Sequence, residues 1–154
     1  MRHFLRCRCT GHGREVFTLR AGRELRALPQ TRGAAFVSGH VPRKPDGSLR
    51  AGLVGWDTTI EEAYADARNV GLQLLVVAKA ALGELSRITA FVKLVWLMRT
   101  PASESIRRSS TGARDLLIEV LGQVGQHARS AIGVGSLPGG VTVEVEAIFE
   151  FECP

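Results

Sequence analysis

Cysteine is scarce: three residues, an odd number that closes no disulfide framework. Aromatic residues are scarce too, and Trp56 and Trp96 read as packing residues rather than stacking platforms. No uninterrupted apolar run reaches the ~20 residues that a membrane helix needs, so a membrane span is not expected. The start, Met1-Arg2-His3-Phe4-Leu5-Arg6-Cys7, lacks the apolar stretch of a secretory leader. With nothing directing export, a cytoplasmic location is expected. Acidic residues are few in one place only. Residues 1–32 carry eight arginines against two glutamates, whereas the remainder carries 12 basic and 13 acidic side chains. The net charge of +5 therefore belongs to the N-terminal part. A nearly neutral body lacks the basic groove that tracks phosphates, so a nucleic-acid partner is not expected.

What is present suits one folded unit. A chain of 154 residues with 45% hydrophobic content can bury a single core. The expected organisation is a flexible basic arm over residues 1–14 and one domain over residues 15–154. His3, Cys7, Cys9 and His12 supply metal-binding atoms but not the spacing of a zinc module, and no metal site is expected.

Glu15 to Leu19 reads as a short edge strand and Ala34 to Ser38 as a better one. A helix begins at Thr58 or Thr59, each of which offers a capping box with Glu61 or Glu62. Apolar residues then recur at helical spacing from Ile60 to Leu82, and Gly83 is the stop. Arg87 to Met98 reads as a long strand with Ile88, Ala90, Val92, Leu94, Trp96 and Met98 on one face. Phe91, Val95 and Leu97 make its other face apolar as well, and both faces need cover. Ser103 to Thr111 is polar, a loop or an approach to a second helix over Gly112 to Leu121. Arg129 to Gly135 and Val141 to Phe151 are the last strands. The order predicts an α+β fold, a mixed sheet with two helices on one face and an open apolar face that another copy of the chain would cover.

The last two strands flank Leu137-Pro138-Gly139-Gly140 and read as a hairpin that returns Arg129 toward Glu144 and Glu146. An arginine beside carboxylates can clamp an acidic ligand and direct a water. His127 reads as an exposed loop residue, Glu146 as a surface or interface carboxylate. An ordinary ion pair between Arg129 and Glu144 is the competing explanation.

These residues also resemble a known family. His127-Ala128-Arg129-Ser130, Leu137-Pro138 and Val143-Glu144-Val145-Glu146-Ala147-Ile148 are similar to the signature of the YjgF family, the reactive-intermediate deaminases. Ser38-Gly39-His40 resembles that family's Ser-Gly-Gln segment. The resemblance spans about residues 30–151 and is nearest to the chorismate-mutase-like, endoribonuclease-labelled branch. It implies a chorismate-mutase-like fold, a homotrimer with clefts between subunits, and hydrolytic deamination of 2-aminoacrylate and related enamine or imine acids without a cofactor or metal. It implies Arg129 and Glu144 as catalytic residues, and Ser38, Gly39, His40 and Thr111 around a small carboxylate-bearing substrate. Three departures alter the cleft walls: Ala131 stands where relatives carry a cysteine, Thr111 or Gly112 where an asparagine is frequent, and Leu25 to Gln30 lacks an aromatic residue. A ribonuclease of the translation-inhibitor type and a non-catalytic trimer that binds small carboxylates are the alternative functions.

Overall fold

The computed structural model describes residues 33–101, 106 and 109–152, with Val16–Leu19 described by its backbone. The basic arm, the His3-Cys7-Cys9-His12 set, the stretch from Leu25 to Gln30 and Cys153 lie outside the described residues.

Five strands form one mixed sheet: β1 (Val16–Leu19), β2 (Ala34–His40), β3 (Ile88–Arg99), β4 (Ala128–Val134) and β5 (Val143–Phe151). Their spatial order is β1-β2-β5-β3-β4. The pairs β1–β2 and β3–β4 are parallel, while β2–β5 and β3–β5 are antiparallel. Helices α1 (Ile60–Leu82) and α2 (Thr111–Leu121) pack on each other and on one face of the sheet. The result is a single α+β domain.

The first helix starts where its sequence marks it. The Thr59 hydroxyl accepts from the Glu62 N–H, and the Glu62 carboxylate accepts from the Thr59 N–H. Two orphan amides are satisfied by that exchange. Gly83, at φ 87°, ends the helix in a conformation that side chains resist. Its apolar stripe, including Ala67, Val70, Leu74 and Ala78, meets Leu94, Trp96, Val145 and Phe149 from the sheet. Each large side chain buried there contributes on the order of 1.5–3 kcal/mol. One acid sits in this packed region. Asp66 accepts from the Thr142 hydroxyl at 2.7 Å and faces the Arg50 guanidinium at 3.3 Å. Burial pushes its carboxyl above the usual range, against the lowering effects of Thr142 and Arg50.

The two helices approach closely because glycines stand at their crossing. A Cβ at Gly112 would overlap the Tyr64 carbonyl of α1, and one at Gly71 would press on Ala113.

Two expectations change. Simple alternation along β3 breaks at register shifts between Ile88 and Ala90 and between Phe91 and Lys93. These irregularities turn Phe91 into the helix-side core and leave Val92 41% exposed. Trp96 is fully buried, as a packing residue should be, but Trp56 is 82% exposed. Amides of Trp56, Asp57 and Thr58 all donate to the Leu53 carbonyl, so a closed loop holds that indole outward. The approach to α2 is helical at Ile106 and Ser109. Among the described residues no helix is long and apolar enough to cross a membrane.

Candidate active site

The expected hairpin between the last two strands does not form. β3 lies between them, bonded to β4 on one edge and to β5 on the other. The physical reason is that β3, twelve residues long and apolar on both faces, gains most from an interior position in the sheet. The chain leaves β3, crosses through α2 and returns parallel to it as β4, the connection that parallel strands require. Leu94 stands opposite Arg129 on one side and opposite Ala147 on the other. Arg129 therefore shares the helix-side face with Leu94, Trp96, Val145 and Ala147. Glu144 and Glu146, opposite Leu97 and Val95, project to the open face. Within one chain Arg129 and Glu144 are separated by a strand and by the thickness of the sheet, so they do not form an ion pair.

Each half of the candidate site has its own setting. Arg129, exposed near the start of edge strand β4, reaches the N-terminal end of α2, where its Nη1 donates to the Ser110 hydroxyl at 3.2 Å. Ser110 is fully buried and immediately precedes Thr111. Among the described residues no carboxylate lies within ion-pair distance of Arg129. His127 is beside this group and is half-buried rather than exposed. Its Nδ1 donates to the Gly125 carbonyl at 2.7 Å, and its Nε2 is buried without a partner. Desolvation lowers the imidazole pKa. The Gly125 carbonyl opposes that shift, and the nearby Arg114 and Arg129 charges reinforce it. The balance of these effects favours the neutral ring.

The other half lies on the open face. A register shift between Val37 and His40 inserts one extra residue into β2 at Ser38-Gly39. The missing side chain at Gly39 makes room for Glu144: a Cβ there would overlap its carboxylate. Ser38 lines a shallow groove of about 170 Å³ with Phe36, Lys93, Val95, Glu146 and Ile148. The same bulge turns His40 the opposite way. His40 is 4% exposed beneath α1, its Nδ1 donating to the Ser38 carbonyl at 2.8 Å. It lines a separate depression with Asn69, Gln73 and Val76. The structure thus sets Gly39, beside Ser38, against Glu144, and separately brings Arg129 to Ser110, the residue before Thr111. His40 meets the first group only at the Ser38 carbonyl and turns its ring away from Glu144, toward α1. Ser110 and Arg114 escaped the sequence reading, although Ser110, Arg114 and their helical spacing were visible once α2 was placed. Among the described residues no cluster of His, Cys, Asp and Glu could hold a metal ion.

Residues 30–144 match the family described as "YjgF/chorismate mutase-like, putative endoribonuclease". The chain belongs to the YjgF/chorismate-mutase-like family. Its relatives include Protein TCP17 of Trypanosoma cruzi, 40% identical over 116 residues that make up 74% of this chain and 72% of that protein. The crystal structure of Atu1372, a protein of unknown function from Agrobacterium tumefaciens, is similar at a TM-score of 0.75 and 35% identity, covering 79% of this chain and 80% of the other. A structure described as a putative endoribonuclease from Shewanella oneidensis has the same TM-score of 0.75 at 28% identity, covering 87% and 89%. The YjgF-matched span includes both halves of the site, from Ser38 to Glu144.

Proposed function

We propose that this YjgF-family chain hydrolyses small 2-imino and enamine acids to 2-oxo acids and ammonia, in a cleft assembled between subunits of a homotrimer. The observation that carries the reading is the exposed Arg129 guanidinium, tethered by the Ser110 hydroxyl and facing no described carboxylate. Such a group can take a carboxylate through two parallel hydrogen bonds and so fix the neighbouring C=N carbon in space. Glu144, laid over Gly39, is the group that orients and deprotonates the attacking water. An imine is already electrophilic, so positioning supplies much of the needed acceleration. Arg129 and Glu144 sit on opposite faces of one sheet, so a cleft that uses both draws them from neighbouring copies. Exposed Phe36, Val92 and Ile132 favour cover of the open face by another copy.

The test generates an imine in situ with an amino-acid oxidase and follows ammonia release. The protein should accelerate release, and Arg129→Ala should reduce the rate to that of the uncatalysed reaction. Full activity in Arg129→Ala defeats the assignment. If the wild-type protein gives no acceleration but cleaves RNA, the endoribonuclease in the family description is the better reading.

A further inference from the structure

The surroundings of Arg129 contain a second cation that the imine mechanism does not use. Arg114 lies four residues after Ser110, one helical turn or about 6 Å along the axis, on the same side of α2. The Ser110 hydroxyl is the group that receives Arg129. Gly125 packs on the Leu117 carbonyl of α2 and Arg129 reaches Ser110 at its start, so the segment between them runs back along α2 past Arg114, and both guanidinium charges act on the His127 imidazole within it. The only described carboxylate beside Arg114 is its neighbour Asp115, at 3.6 Å. That contact is long and half-exposed, and the same carboxylate also accepts from the Tyr64 hydroxyl at 3.1 Å. An exposed pair of this kind contributes little and yields readily to a ligand. Arg114 is half-exposed and remains free to swing on its long side chain.

The geometry points to Arg114 as a second anion-binding position of the Arg129 pocket, making the preferred ligand a short imino or oxo acid with two carboxylates. Arg129 takes the carboxylate next to the reacting carbon. Arg114 takes the distal one, a turn farther along α2. This inference rests on the role given to Arg129 above, and it goes beyond that role by naming a substrate class. A monocarboxylate would leave Arg114 with only Asp115.

Titration calorimetry on the full chain with 2-oxobutyrate and 2-oxoglutarate tests it. The wild-type protein should bind the dicarboxylate at least about tenfold tighter, equivalent to ~1.4 kcal/mol. Arg114→Gln should abolish the preference, and Arg114→Lys should restore part of it. Equal affinities in the wild-type protein, or a preference that survives Arg114→Gln, would overturn the inference while leaving the Arg129 reading intact. Failure of both acids to bind overturns the Arg129 reading, and this inference falls with it.

Discussion

Gly39 and Glu144 show how one missing side chain can shape a site. The glutamate rests on the Gly39 backbone, and an added methyl would meet the flexible end of that carboxylate rather than another backbone. Gly39→Ala should therefore leave thermal stability almost unchanged while imine hydrolysis falls by about 10- to 100-fold, since small misplacements of a catalytic group are costly. Unchanged turnover would show that the Glu144 position is immaterial. His127 gives a prediction in pH. Desolvation, chiefly, depresses its folded pKa below the ordinary 6.5. The unfolded chain then takes up a proton first as pH falls. This contribution to stability is present above about pH 6.5 and is lost as pH drops through it toward the folded value. Denaturant titrations between pH 7.5 and 5 should show a steeper loss for the wild-type protein than for His127→Gln. Parallel profiles would remove His127 as a source of the pH dependence.

Among the elements, the helices were the most legible because their signals are local. Thr59-x-x-Glu62 and the stripe from Ala63 to Leu82 specify α1 without reference to anything else, and Gly83 ends it where the sequence says. The strands were found within one or two residues, but not their neighbours. Pro138-Gly139-Gly140 reads as a hairpin turn because sequence adjacency suggests spatial adjacency, whereas β3 outcompetes β4 for the edge of β5. Irregularities in β2 and β3 redirected His40, Phe91 and Val92, and no residue type announces them. For the same reason Arg129 and Glu144, expected side by side, lie a strand apart on opposite faces of the sheet. Close helix contact was also hidden, since an isolated glycine inside a helix looks like a defect until its partner is known. Gly112→Ala tests that contact. The alanine should gain up to about 1 kcal/mol in helix propensity, but its methyl meets the Tyr64 carbonyl and the Arg68 nitrogen, neither of which can yield by rotation. A net loss of about 1–2 kcal/mol is expected in urea unfolding, the overpacking penalty exceeding the propensity gain. A more stable variant would mean that the helices separate without penalty.

At the scale of the whole molecule, the chain presents two candidate half-sites and a sheet face that the two described helices leave open. The helix-side half holds Arg129, Ser110 and Thr111; the open-face half holds Ser38, Gly39 and Glu144. No side-chain rotation can join them, because β3 and the thickness of the sheet intervene. This separation makes complementation the sharpest test of the assembled cleft. Arg129→Ala and Glu144→Gln should each be inactive alone. Subunits of the two variants, unfolded together and refolded, should recover a fraction of wild-type imine hydrolysis, because some clefts then combine an intact Arg129 from one chain with an intact Glu144 from another. Light scattering on the same samples should report a mass of three chains, and Val95→Glu, which sets a second carboxylate opposite Glu146 on the open face, should lower that mass and the rate together. Mixed subunits that stay inactive although they assemble would place the chemistry within one protomer, where Arg129 and Glu144 cannot cooperate, and one of the two would then have to be withdrawn from the mechanism.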